Sequence, residues 1–409
     1  MTIFFCFPYR GVGGVSIVFM KLAEALIDGG DKCYLIDYAD GYMARFKRND
    51  IGLLEYRDDR VLNLPEGGFL VFQSMTPWSI FPNLKVSSST KIFFWNCHPF
   101  NLVPTVPGLR GLMQGSPSLG RYLLSFFFRG YRKQVTQFID LLVEKRALYF
   151  MDHANLKNTE SYLDIKIETP RFLPIPYETK CSAQYVAKPA VDGHLRISWI
   201  GRCVDFKYHI LVRFLKDVEE LASTRKLPRF SFTIVGQGEA RGKLIRQVDA
   251  LEGVDVRFID HIEPSKLREF LEKETDLLVA TGTSALSGAR LGVPTILLDF
   301  SYKPVPKGYK YRWISDRDGS TLGDMIDTSY IDEGVNFLFD RIGELLDKPE
   351  MKSTQSKNYY DRNHSVDSII RSVTEALNHS ECLWDDLLSK GLLKRSSSYL
   401  FYSWLREKL

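Results

Sequence analysis

Two series of short apolar runs, each alternating with segments whose apolar residues recur at helical spacing, constrain this chain more than any other feature. A short apolar run bounded by turn residues reads as a strand buried on both faces. Helices between such strands require a parallel sheet covered on both sides. In the first series, residues 3–7 predict a strand, 8–14 a glycine-rich loop, and Val15, Val18, Phe19, Leu22 and Leu26 a helix ending at Gly29 and Gly30. Lys32–Asp37, Phe69–Gln73 and Lys91–Asn96 predict further strands. In the second series the predicted strands are 195–200, 231–235, Val254–Ile259, Leu277–Ala280 and 295–298, with helices between them, 265–273 included. A Pro-Ile-Pro segment at 173–177 and a polar, aperiodic stretch at 178–193 separate the series and predict an interdomain linker.

At 409 residues the chain is too long for one ordinary hydrophobic core, and its 44% apolar content suits two packed domains. The expected division is 1–178 and 194–360, followed by helices over 361–409. A net charge of +4 does not imply nucleic acid, and there is no zinc finger, RNP-like aromatic pattern or lysine-rich arm, so no nucleic-acid partner is expected. Local charge says more. Residues 67–139 contain no aspartate or glutamate, yet they hold Lys85, Lys91, Arg110, Arg121, Arg129, Arg132 and Lys133, which predicts a basic face on the first domain.

The cysteines Cys6, Cys33, Cys97, Cys181, Cys203 and Cys382 form no C-x-x-C pair, so they indicate neither a metal site nor a disulfide framework and suit a reducing compartment. Met1 is followed directly by a strand-like run, without a basic leader or cleavage site, and no apolar stretch has the length to span a bilayer. The expected location is the cytoplasm, peripheral to the inner face of the membrane.

Candidate chemistry collects where strands end. Arg202 and Lys207 follow the run 195–200, and Thr281-Gly282-Thr283-Ser284 follows Leu277–Ala280 and opens a helix. Two cations and the free N–H groups of a helix amino terminus are what a diphosphate requires. A solvated pair of loop cations and an ordinary hydroxyl helix cap are the plainer readings. Gly236-Gln237-Gly238 and His261-Ile262-Glu263 close two more strands, where their backbone groups could border a nucleotide base. Gly11, Gly13 and Gly14 open the first helix and would admit a phosphate or sugar to backbone amides, and Asp37 ends the second strand, where a ribose could sit. Tight turns account for those glycines equally. His98, after Lys91–Asn96, is a candidate to accept a proton from an acceptor hydroxyl or to orient it. Residues 119–133 and 383–409 each mix aromatic, aliphatic and basic side chains, as an amphipathic helix on anionic lipid does, and as a helix packed on its own protein also does.

Gly-Val-Gly-Gly at 11–14, Gly-Arg-x4-Lys at 201–207, Val-Gly-Gln-Gly at 235–238, and Asp-Leu-Leu-Val ending in Gly-Val-Pro over 276–294 together resemble GT-B glycosyltransferases, in particular the glycosyltransferase 4-like family. The resemblance covers residues 1–378 in motif order. It implies an α/β GT-B fold, with two facing Rossmann-like domains and a central cleft. It also implies metal-independent, retaining hexosyl transfer from a UDP- or GDP-sugar with no further cofactor. In that family the arginine and lysine stabilise the departing diphosphate, the later turn and helix hold the nucleotide, and an amino-terminal histidine lies near sugar and acceptor. These roles correspond here to Arg202, Lys207, residues 281–284 and His98.

The family usually carries paired glutamates before its Gly-x-Pro, the second holding the ribose; Ser287 occupies that second place, and the segment bearing the first is shortened. The helical run 366–377 matches a terminal helix that crosses back to the first domain. The expected function is transfer of a sugar from a nucleotide-sugar to a glycan acceptor, lipid-linked as in polysaccharide or lipopolysaccharide synthesis, with an anionic membrane surface as a further partner. A nucleotide-sugar epimerase of the same shape is the alternative enzyme, suggested by the short Gly-Thr-Ser turn. A non-catalytic GT-B-like scaffold is the alternative from another class, suggested by the missing glutamates.

Overall fold

The computed structural model describes residues 1–11, 13–104, 117–178, 181, 193–223, 229–316, 320–326, 337–395 and 399–400. Val12, Arg110, most of the polar stretch 178–193 and residues 396–398 and 401–409 of the tail lie outside the described residues. The chain divides into two compact units, one of Met1–Pro176 with Ile369–Leu409, the other Tyr177–Ser368.

In the first unit the elements are β1 (Thr2–Cys6), α1 (Gly14–Asp28), β2 (Lys32–Asp37), α2 (Tyr42–Phe46), β3 (Gly52–Glu55), β4 (Leu62–Asn63), β5 (Phe69–Gln73), β6 (Leu84–Lys85), β7 (Lys91–Asn96), α3 (Pro117–Phe126), α4 (Arg129–Glu144), β8 (Leu148–Phe150) and α5 (His153–Leu163). Its main sheet has six strands in the order β3-β2-β1-β5-β7-β8, all parallel. Ile3, Phe4, Phe5 and Cys6 are fully buried, so β1 has no solvent face, as expected of a central strand in a sheet covered on both sides. Phe5 meets Phe19 of α1 on one face, and Phe4 stacks on Tyr34 within the other core.

The second unit has β9 (His194–Ile200), α6 (Asp205–Ala222), β10 (Arg229–Val235), α7 (Arg241–Val248), β11 (Val254–Ile259), α8 (Pro264–Glu274), β12 (Leu277–Ala280), α9 (Thr283–Leu291), β13 (Thr295–Leu297), β14 (Arg312–Trp313), α10 (Leu338–Asp347) and α11 (Pro349–Asn363). Its sheet order is β11-β10-β9-β12-β13-β14, parallel except for the last pair. Both sheets thus start at a central strand, build outward on one side, then return to build on the other. The order reverses between β1 and β5 in one sheet and between β9 and β12 in the other. Reversal sends the flanking connections to opposite faces and opens a crevice at the carboxyl ends of those strands.

Near its carboxyl end the chain continues as α12 (Val366–His379) and α13 (Trp384–Ser389). Ile369, Val373, Ala376 and Leu377 of α12 join the core of the first unit that contains Phe5 and Phe19. Beyond them Cys382 O accepts from Ile92 N–H at 2.9 Å, Ser380 Oγ donates to Ile92 O at 2.9 Å, and Trp384 stacks on Phe72. The tail is therefore part of the first unit's hydrophobic core as far as residue 395. No helix among the described residues is long and apolar enough to cross a membrane.

Candidate functional site

The crevice of the second unit collects most of the residues singled out in that half. A cavity of about 710 Å³ lies at the strand ends, lined by Gly201, Arg202, Gly236, Gly238, Ile262 and Ser284 among others. Arg202 is exposed on the loop after β9 and has no ion-pair partner among the described residues. Lys207 sits in the first turn of α6, with its Nζ 3.4 Å from Thr281 O and 3.5 Å from where a Cβ on Gly201 would lie. Its ammonium therefore lies between the ends of β9 and β12, the two strands at which the sheet order reverses.

Lys207 is half-buried, and among the described residues no carboxylate pairs with its Nζ. Burial, with Arg202 adding a second positive charge nearby, lowers its pKa to about 8. A half-buried ammonium met by a long carbonyl contact and the Phe206 ring at 5.9 Å is costly on its own, because desolvation is not offset by a counter-charge. Lys207 borders a small void with Trp199, Cys203, Tyr208 and Leu211 rather than the 710 Å³ cavity, which Arg202 and Ser284 line; an anion held at the amino terminus of α9 would bring a counter-charge near it.

The helix α9 completes the arrangement. Its N-cap, Gly282, has φ 73° and ψ −150°, a region open essentially to glycine alone, and no atom lies within 4 Å of where a Cβ would sit. No side chain caps the helix, so the N–H groups of Thr283 and Ser284 begin an uncapped amino terminus beside Arg202 and Lys207. The hydroxyl-cap reading of this turn is thus not what the structure shows.

Gly236 and Gly238 owe their identity to another cause as well. A Cβ on Gly236 would lie 1.9 Å from Gly201 O, and one on Gly238 would lie 2.3 Å from Cys203 O. The loops after β9 and β10 are laid backbone to backbone, stitched by Cys203 N–H to Gln237 O and Ala240 N–H to Cys203 O, both 2.9 Å. That close packing holds Arg202 in place, a role the glycine pattern alone did not reveal. Ile262 borders the cavity from the loop after β11, next to Leu267 of α8.

Ser287 lies one turn into α9, 8% exposed, and shares a hydrogen bond of 2.8 Å with the hydroxyl of Tyr177. Arg290, three residues further along the helix, pairs with Glu178 at 2.9 Å. Successive residues of the entering chain therefore hold α9 from the side. Tyr177 was not foreseen as a partner, because 110 positions separate it from Ser287.

In the first unit, Gly13 is the N-cap of α1 in extended conformation and Gly14 has open space where a Cβ would project. No side chain caps α1 and no acid sits in its first turn, so this amino terminus is also open to an anion. Asp37 requires a correction. It is fully buried, and its carboxylate accepts from the N–H groups of Tyr9, Tyr38, Met43 and Ala44, which leaves it no capacity to hold a ribose. Burial raises its pKa and those four donors oppose the rise.

His98 is half-buried after β7, and its Nδ1 accepts from Phe100 N–H at 3.2 Å. With Nδ1 engaged as an acceptor, the neutral ring carries its proton on Nε2. The backbone of the following turn thus holds the ring at the carboxyl end of β7.

No protein-family model matches the chain, and no curated protein matches it in sequence. Solved structures do match in shape. A glycosyltransferase from Rickettsia africae ESF-5 aligns over 97% of this chain and 99% of its own, at 12% identity and a TM-score of 0.54. The N-terminal domain of a Candida albicans trehalose-6-phosphate phosphatase aligns over 93% and 97%, at 12% identity and TM-score 0.53. An apo structure of OtsA aligns over 92% and 98%, at 11% identity and TM-score 0.52. At these identities the likeness speaks for the fold: the chain has the GT-B architecture, an α/β fold of two Rossmann-like domains.

Proposed function

We propose that this protein is a glycosyltransferase that takes a sugar from a nucleoside diphosphate donor bound in the crevice of the second unit. One observation carries the reading: Arg202 and the half-buried Lys207, neither paired with a carboxylate among the described residues, lie beside the uncapped amino terminus of α9 where the strand order reverses. Such a site stabilises negative charge that grows as the diphosphate departs, so it acts more on the transition state than on the bound donor. Thr283 and Ser284 hold the phosphates through backbone N–H groups, Gly282 shapes the turn while its own N–H donates to Leu322 O at 2.8 Å, and Arg202 and Lys207 neutralise the phosphates. Gly236, Gly238 and Ile262 border the base. Ser287, supported by Tyr177, faces the ribose side with neutral hydroxyls where the family it resembles has a carboxylate.

In the first unit, Gly13, Gly14 and His98 serve the acceptor. The acceptor we read as a glycan on a membrane lipid, a reading that rests on the acid-free basic stretch 67–139. We read the transfer as retaining and independent of metal, after the family the motifs resemble. The glycosyltransferase from Rickettsia africae shares the fold. A phosphatase domain shares it too, so the fold alone does not carry the activity.

The test is a thermal-shift screen of UDP- and GDP-sugars, followed by detection of released nucleoside diphosphate and product with membrane extract as acceptor source. Arg202→Ala and Lys207→Ala are each expected to lower turnover by about a hundredfold or more. Undiminished turnover in both variants removes the assigned clamp. Interconversion of sugars without acceptor would identify an epimerase, and stabilisation by donors with no turnover would identify a scaffold.

A further inference from the structure

The two amphipathic segments noted in the sequence, 119–133 and 383–409, are distant in the chain, yet the first unit brings them together. Gln134 Nε2 donates to Leu392 O at 2.7 Å and to Lys394 O at 3.1 Å, which fixes the tail along α4. Trp78 is gripped from both: Tyr131 of α4 packs edge-on at 4.9 Å, Tyr399 of the tail lies at 6.4 Å, and Arg395 Nε donates to Trp78 O at 2.9 Å. The helix-on-protein reading thus holds for one side of each segment, where Leu124, Val135, Phe138, Leu387 and Leu392 are buried in a shared core.

The opposite side of α3 and the start of α4 is covered by nothing among the described residues. Leu119, Tyr122, Phe126 and Phe127 are 45%, 60%, 67% and 66% exposed. Four large apolar side chains within nine residues form a patch rather than the scattered single exposures usual on a soluble surface. Tyr122 and Phe126 stack at 6.0 Å, and Phe127 stands edge-on to Phe126 at 5.1 Å, a contiguous aromatic ridge. Arg121, Arg129 and Lys133 are exposed along the same stretch, and Lys394 is exposed on the tail strapped beside it. Arg132 is the exception, turned inward to Leu163 O, Ser125 Oγ and Asp164.

We propose that this ridge is a docking surface for an anionic lipid bilayer, with Tyr122, Phe126 and Phe127 entering the headgroup–acyl boundary and Arg121, Arg129, Lys133 and Lys394 facing lipid phosphates. Charge complementarity selects the occupant: Arg121, Arg129, Lys133 and Lys394 are exposed beside the ridge, the exposed Asp164 of the neighbouring segment is taken up by Arg132, and a surplus of cations bordering an apolar ridge suits an anionic surface. Tyrosine and phenylalanine with flanking basic residues are also the side chains suited to a membrane interface. The proposal stands independently of the donor chemistry, since none of these residues lies in the second unit.

The experiment is co-sedimentation of the full chain with vesicles of phosphatidylcholine alone and of phosphatidylcholine mixed with phosphatidylglycerol. Binding is expected only to the mixed vesicles and is expected to weaken with salt. Replacing Arg121, Arg129 and Lys133 together by Gln should lower the partition about a hundredfold. Replacing Tyr122, Phe126 and Phe127 together by Ser should lower it at least about tenfold. Far-ultraviolet circular dichroism and the melting temperature of both variants should match wild type, because the altered side chains are exposed. Failure of the wild type to sediment with the anionic vesicles overturns the proposal, as does wild-type partition in both variants. A concentration-dependent dimer that the serine variant abolishes, with no vesicle binding, assigns the ridge to a second copy instead.

Discussion

The two sheets have the same strand order, but the carboxyl ends of their central strands are treated differently. After β1, Arg10 is paired with Asp40 at 3.2 Å and lies over the Tyr38 ring, while Asp37 absorbs four backbone N–H groups. That edge satisfies its own charges. After β9, Arg202 and Lys207 have no carboxylate among the described residues, and the neighbouring strand β10 is followed by Gly236 where β2 ends in Asp37. Topology places a crevice at both edges, and unsatisfied charge is what makes the second the candidate anion site.

The comparison can be broken most forcefully through backbone fit. Gly236→Ala pushes a Cβ into Gly201 O, at a positive φ, and should destabilise the second unit by on the order of 4 kcal/mol, read by urea denaturation. Gly14→Ala meets open space at the start of a helix and should be neutral or stabilising by up to about 1 kcal/mol. Equal effects would mean that the loops after β9 and β10 are not held backbone to backbone.

Next in size is the half-buried ammonium of Lys207. A lysine pKa lowered to about 8 when folded means that, between about pH 8 and the ordinary lysine range near 10.5, the unfolded chain binds more protons, so stability rises with pH across that window. Lys207→Met should therefore raise stability at neutral pH by up to about 3 kcal/mol and flatten that pH dependence. Arg10→Ala, on the self-satisfied edge, should change stability by less than about 0.5 kcal/mol. Donor kcat/KM of the wild type should fall as pH rises above about 8, and Lys207→Arg should move that limb upward. A lysine variant that is both less stable and pH-independent would contradict the unpaired charge.

The smallest effect is at the support of α9. Tyr177→Phe removes one hydroxyl partner of Ser287 and should cost about 1 kcal/mol, with donor KM rising and kcat nearly unchanged. A fall in kcat alone would place Tyr177 nearer the chemistry than the ribose side.

Much of the architecture was legible because inner parallel strands are largely apolar runs: Lys32–Asp37, Phe69–Gln73, Lys91–Asn96 and Leu277–Ala280 lie where the sequence predicts them, as does the edge strand Val254–Ile259. β3 and β8, four and three residues at opposite edges of the first sheet, carry too little pattern to stand out and depend on pairing with β2 and β7. At the candidate site, Arg202 and Lys207 were visible through their place after a strand. The reason for Gly236 and Gly238 was not, because it lies in carbonyls of another loop. Asp37 misled because its position suits a ribose ligand while its oxygens are consumed by N–H groups of two neighbouring segments. Likewise, the union of Tyr177 with Ser287, and of Gln134 with the tail, depends on long-range packing that periodicity does not encode.

Calorimetric titration of the full chain with UDP and with GDP tests the central claim most directly, comparing wild type with Arg202→Ala and Lys207→Met. The account predicts measurable binding of one of the two by the wild type, weakened about tenfold or more by each substitution. Binding of neither nucleotide, or the same Kd in all three proteins, would contradict it.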